Sequence, residues 1–246
     1  MTRIIRSVGW TLIVLGAIVL LYVVYLLWFT NFETQREQRD LADEWSAIIS
    51  DEGPQIDDVA GPAPEQPSEP EEPEDPEEEG SPHAPPGIGD AYSALWFERE
   101  GERIINDEVL YVVEGVDLPT LRRGPGHYPE SDRPGGAGNL AIAGHRTTYG
   151  APLWSLNELE HGDTIHVMDR EGREWVYRYV EQRIVHPTEM WVVGEDPLNT
   201  GAPTVTLTTC HPRYSDAQRL IAWGELIDDP IPSTAQASDR VEIAES

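Results

Sequence analysis

Between Val8 and Phe29 the chain runs through 22 residues without a charge, VGWTLIVLGAIVLLYVVYLLWF. An α-helix rises ~1.5 Å per residue, so this run matches a hydrocarbon core ~30 Å thick. Trp10 lies near one end and Tyr25 and Trp28 near the other, where amphipathic rings anchor a span at its two interfaces. Arg3 and Arg6 precede the run. Positive-inside logic therefore places the N-terminus in the cytoplasm and everything after Thr30 outside the cell. The bulky YLLWFTNF that ends the run offers no small-residue cleavage site, so residues 1–30 read as an uncleaved, single-pass signal anchor rather than a removable leader.

Residues 31–90 read as a connection rather than a domain. Glu33 to Ile49 is rich in helix formers and suits a short juxtamembrane helix. From Asp51 to Pro86 proline recurs among Glu and Asp, as in PSEPEEPEDPEEEG, and residues 51–90 carry fourteen acids and no Arg or Lys. Such a segment repels itself and has no apolar surface to bury, so it reads as an extended, solvated spacer. An acidic binding tail is the alternative. Residues 229–246 read as a disordered tail. That leaves 91–228 for one folded domain, enough for a real core. Its twenty-two acids against twelve arginines form no basic patch, which excludes nucleic acid as a partner.

Within this domain β signals dominate. Candidate strands are Ser93–Glu98, Val109–Glu114, Asn139–Ala143, Thr164–Asp169, Glu174–His186, Thr204–Cys210 and Arg219–Ile227, rich in Val, Ile, Thr, Tyr and Trp and broken by Gly, Pro and Asp. Helical pieces are short, at Leu118–Arg123 and Pro152–Leu156. Many strands with few helices predict a closed β-barrel or a sandwich.

Cys210 is the single cysteine. Outside the cell structural cysteines come in pairs, so a lone one is either a reactive thiol or a small buried hydrophobe. Its context is TVTLTTC, a strand, then HPRYSDAQ, a loop, and then RLIAWGELI, a second strand opened by Arg219. A hairpin with that connection puts Cys210 and Arg219 on the two sides of one loop mouth, where a guanidinium stabilises a thiolate or an oxyanion. A thiol also needs a proton-transfer partner. Of seven histidines, His145 ends the apolar strand NLAIAG, and His127 lies in the Gly-rich turn GPGHYP; on residue context alone both are candidates. No ligand spacing for a metal or motif for a cofactor is visible, so none is expected.

The segments VVEGVDLPTLRRGPGHYP, AIAGHRTTYGAPLWSLNEL and TLTTCHPRYSDAQRLIAWGEL together resemble the sortases, and among them the class E group of high-GC Gram-positive bacteria. The resemblance covers roughly residues 92–228. It departs after GPGHYP, where ESDRPGGAG replaces a Gly-Thr start. It implies an eight-stranded β-barrel with short helices and a triad of His145, Cys210 and Arg219. It implies an amide exchange in which Cys210 attacks between Thr and Gly of a C-terminal sorting signal of LAxTG or LPxTG type on a secreted protein. The acyl group then passes to an amine of a peptidoglycan precursor or of a pilin. Thr209, beside the nucleophile, and Tyr149, in the loop after His145, are expected substrate contacts. Two rival readings remain: another cell-wall cysteine peptidase or transpeptidase, and a non-enzymatic tethered β-domain with an inert buried cysteine.

Overall fold

The computed structural model describes residues 2–51 and 85–232. The expected spacer falls almost wholly outside them, as does the tail beyond Pro232. A helix α1 spans Thr2–Asp51 without a break. The side chains of 23–33 lie outside the described residues, and among those described no helix is long and apolar enough to cross a membrane.

The remainder is built on nine strands: β1 Ala91–Arg99, β2 Glu102–Ile104, β3 Leu110–Glu114, β4 Gly126–His127, β5 Asn139–Ala143, β6 Thr164–Met168, β7 Arg173–Val185, β8 Thr204–His211 and β9 Gln218–Pro232. A one-turn helix α2, Leu118–Leu121, is capped by Asp117, whose carboxylate accepts from the Thr120 amide. The sheet order is β2-β1-β3-β4-β5-β8-β9-β7-β6, and β6 pairs back onto β1. Eight strands thereby close into a barrel, with β2 a short hairpin arm on β1. Closure removes the open edges that an eight-stranded sheet would present.

The core follows from strand patterning. β5, NLAIA, is buried at every residue and pairs in parallel with β8, as a strand covered on both faces does. Leu140 and Ile142 of β5 join Val205 and Leu207 of β8 and Leu95, Phe97, Ile165 and Tyr177 inside the barrel. The alternate residues of β8, Thr204, Thr206 and Thr208, face the other way. There the connection 186–203 covers them, with Val185, Val192, Ile221 and Trp223 forming a second small core. The Thr206 hydroxyl donates to the Val192 carbonyl at 3.3 Å, and the Trp223 indole donates to the same carbonyl at 3.1 Å, fixing this connection to the outer face of β8 and β9.

Some expectations need correcting. Pro152–Leu156 forms turns, with a single 3₁₀ turn at Leu156–Glu158, following the left-handed Gly150 and Ala151. β2 and β4, of three and two residues, carry no periodicity to read. β9 runs to Pro232 because it has long β7 to pair with, Arg173 opposite Pro232.

Candidate active site

Three chain segments end at the same rim of the barrel. β5 and β8 are parallel, with Ala143 opposite Thr208. Continuing that register by two residues brings His145 beside Cys210. β8 and β9 are antiparallel, with Cys210 directly opposite Arg219. Paired residues in adjacent strands share a face, so Cys210 and Arg219 stand side by side, and His145, two residues past the end of β5, continues the row at the same rim. The exit of β5 is held by two bonds: the Gly144 amide donates to the Thr208 carbonyl at 3.0 Å, and the Thr209 hydroxyl donates to the Gly144 carbonyl at 2.8 Å.

Cys210 is a free, half-buried thiol. Its carbonyl and its neighbour are braced from behind by Arg146. That buried guanidinium donates through Nη1 to the Cys210 carbonyl at 3.3 Å and to Nδ1 of His211 at 2.9 Å, and through Nη2 to Asn157 at 2.8 Å. His211 is thus engaged on the side away from the row. Arg219 donates from Nη1 to the carbonyls of Asp216 at 2.8 Å and Gln218 at 3.1 Å, which anchor one edge of its fork.

His145 has its Nδ1 3.3 Å from the Thr148 hydroxyl and its ring 4.8 Å from the Tyr149 ring. Its Nε2 is buried without a hydrogen-bond partner. Burial first, and the nearby Arg122 charge second, hold its pKa below the ordinary imidazole range. At neutral pH the ring is therefore neutral and able to accept a proton.

Along the outer face below this row runs a groove. A cavity of about 50 Å³ is lined by Arg219, Thr208, Ile221, Val192, His186 and Met190. It shares Tyr128, Met190 and Val193 with a larger space of about 590 Å³ walled by Glu130, Asp132, Asn139 and Glu195. Connection 186–203 roofs both. Arg219, the partner of Cys210 across β8 and β9, lines the smaller of the two.

Of the other candidates, only His127 lies away from this rim. His127 is buried on β4, its Nδ1 2.8 Å from Glu114 and its Nε2 3.0 Å from the Ser131 hydroxyl, with the ring stacked on Tyr92 at 3.9 Å. It pairs across to Ile142, two strands from Cys210. Thr209 is 2 % exposed and spends its hydroxyl on Gly144, while its neighbour Thr208 faces the groove. Tyr149 leans on His145. Sequence reading missed Arg146 and Arg122; the first was visible only as the residue after His145. Among the described residues no group of three His, Cys, Asp or Glu is placed to hold a metal ion.

The model of the sortase domain matches residues 105–227, half of the chain. The chain belongs to the sortase family. Sortase SrtE1 of Streptomyces coelicolor is 27 % identical over 241 residues, 91 % of this chain and 57 % of that protein. The chain thus spans little more than half the length of that relative. Sortase SrtE2 of the same organism is 28 % identical, over 89 % of this chain and 80 % of that protein. Among solved structures, sortase E from Streptomyces avermitilis superposes with a TM-score of 0.52 at 32 % identity, covering 61 % of this chain and 95 % of that one. The SrtF sortase from Corynebacterium diphtheriae gives 0.54 at 26 %, covering 65 % and 94 %. This sortase is class E-like, and its His145, Cys210 and Arg219 occupy the rim of the barrel that the matched domain builds.

Proposed function

We propose that the protein is a membrane-anchored cysteine transpeptidase that joins secreted proteins to a cell-surface amine. The supporting observation is the gathering of His145, Cys210 and Arg219 at one rim of the barrel, with Cys210 paired to Arg219 and Arg219 lining the groove below. A sorting signal of LAxTG or LPxTG type lies extended in the groove with its Thr carbonyl over Cys210. The sulfur forms a bond to that carbonyl carbon, and the Arg219 guanidinium holds the developing oxyanion. The C–N bond between Thr and Gly breaks, and the leaving amine takes its proton from His145, which has received the thiol proton. An incoming amine, of a peptidoglycan precursor or of a pilin lysine, then attacks the thioester and gives His145 its proton. The S–C bond breaks and a new amide forms. One amide is exchanged for another, so no external energy source enters.

Val8–Phe29 is the membrane anchor in this reading, with the N-terminus in the cytoplasm and the barrel outside. The uncharged run behind Arg3 and Arg6 supports it. The test is the full chain in detergent, mixed with LAxTG and LPxTG peptides with and without a soluble amine, and read by intact mass. An acyl adduct on Cys210 ending at Thr, lost on addition of amine with formation of the amide product, is the expected result. Amide exchange by Cys210→Ala would sink the mechanism.

A further inference from the structure

The part of α1 beyond the apolar run is built into the barrel. Thr34, Gln38, Leu41, Trp45 and Ile48 recur at spacings of four, three, four and three, which places them on one stripe of the helix. Leu41, Trp45 and Ile48 are buried against Ala91, Ala94, Trp96 and Val113 on the outside of β1 and β3. The two polar members of the stripe do more specific work.

The Gln38 amide donates from Nε2 to the carbonyls of Tyr111 and Arg123, both at 2.9 Å, and accepts at Oε1 from the Tyr111 amide at 2.9 Å. A side chain on Gly124 would collide with that amide, so the turn after α2 is shaped to admit it. Glu37 pairs with Arg123 at 2.9 Å. Thr34 is buried; its hydroxyl donates to the Arg122 carbonyl at 3.1 Å, and its methyl lies 3.1 Å from where a Cβ on Gly150 would stand. One residue of α1 therefore touches both the turn carrying Arg122 and the loop carrying Tyr149.

Those two stretches meet over the catalytic row. The Arg122 guanidinium carbon lies 5.5 Å from the centroid of the Tyr149 ring, and that ring is 4.8 Å from the His145 ring. Tyr149, Gly150 and Ala151 have φ of +50°, +73° and +47°. Left-handed Tyr149 and Ala151, unlike Gly150, are costly unless neighbours over-determine them, and Thr34 is one such neighbour.

We propose that α1 is a positioning element of the active site: docked through Thr34, Gln38 and Leu41, it sets Arg122 against Tyr149 and Tyr149 against His145, with Arg122 and Tyr149 acting as positioning residues. The groups facing the imidazole are then Arg122 from the turn after α2, Thr148 and Tyr149 from its own loop, and Cys210 and Arg219 in register on the neighbouring strands. Burial first, and the fixed Arg122 cation beside the ring second, disfavour imidazolium at His145. The segment between the apolar run and the spacer thus belongs to the catalytic unit. The inference rests on the transpeptidase reading only in taking His145 as catalytic.

The test is a titration of His145 in the detergent-solubilised full chain, labelled with ring-¹³C histidine, with the resonance assigned through His145→Gln and no substrate present. Arg122→Gln should titrate at higher pH than the wild type, and Arg122→Lys, which keeps the charge, should stay close to it. Gln38→Ala/Leu41→Ala, which deletes none of the groups around the ring, should also move the titration upward. It should lower kcat for transfer, by up to about 10²-fold for a misplacement of the order of an ångström, with KM little changed. Should that pair fail to fold, the near-isosteric Thr34→Val removes only the bond to the Arg122 carbonyl and should act in the same direction. Folded α1 variants whose His145 titration and kcat both match the wild type would overturn the proposal. Because the titration needs no substrate, that outcome leaves the transpeptidase reading standing, whereas a wild type inert toward every sorting peptide counts against the latter alone.

Discussion

Replacing Thr209 with Val separates two roles for the residue beside the nucleophile. The exchange keeps shape and volume and removes one hydroxyl. In the structure that hydroxyl donates at 2.8 Å to the Gly144 carbonyl, inside a pair of strands that exclude water, and Thr209 itself is 2 % exposed. The variant leaves the carbonyl buried without a donor, and such a group costs about 1–3 kcal/mol. For a chain of this size each kcal/mol lowers Tm by about 2–4 °C. The bond also ties the exit of β5, and so His145, to β8 and Cys210. The loss should therefore appear in kcat rather than in KM, since Thr208, not Thr209, faces the groove. Thermal unfolding of the full chain, together with Michaelis profiles for one sorting peptide, reads both effects. A variant with unchanged Tm and a several-fold higher KM would refute the reasoning and restore Thr209 as a substrate contact.

Arg219→Lys should leave at most a small part of the activity, a loss of roughly 10²–10³-fold in kcat, because a lysine cannot both bond the loop carbonyls and present a planar fork to the oxyanion; near-wild-type turnover would remove Arg219 from the mechanism. His145→Ala should cost about 10²–10⁴-fold in transfer with the unfolding transition retained, and full activity would disprove its role as proton carrier. Deleting 52–84 should leave Tm and transfer to soluble amines unchanged, while a large drop in Tm would show that this stretch packs. Protease added to intact, wall-stripped cells should release the barrel, and its survival alongside a digested external marker would reverse the topology.

Much of the barrel was legible because each long strand carries its own pattern. Leu140–Ala143 is apolar throughout, and with Asn139 it is bounded by Gly138 and Gly144 and forms β5 with those limits. The short β4 was not legible: its two residues owe their strand geometry to pairing with β3 and β5, a property of the neighbours and not of Gly126 and His127. His127 and His145 both come after a glycine in a polar turn, and nothing local tells them apart. The difference is a carboxylate thirteen residues earlier, Glu114, which reaches His127 only once β3 and β4 pair. The docking stripe of α1 was hidden for a related reason. Two of its five members, Thr34 and Gln38, are polar, so the stripe reads as a solvated helix until Tyr111, Arg122 and Arg123 arrive to bond them.

The row of His145, Cys210 and Arg219 arises from one topological choice, the parallel pairing of β5 with β8. Parallel neighbours end at the same edge of a sheet, so the residues after both strands emerge side by side although 65 positions separate His145 from Cys210. An antiparallel β9 must start at that edge, so the third group, nine residues after Cys210, arrives with no extra device. Had β5 and β8 been antiparallel, His145 would stand at the opposite rim, a strand length away. Threonines at 206, 208 and 209 then serve different ends by alternation alone: Thr206 is buried under connection 186–203, Thr208 lines the groove, and Thr209 closes the seam behind it. A shift of one residue in the β5–β8 register would exchange those faces and put the thiol into the core. The Gly144–Thr208 and Gly144–Thr209 bonds secure that register at the place where the chemistry needs it.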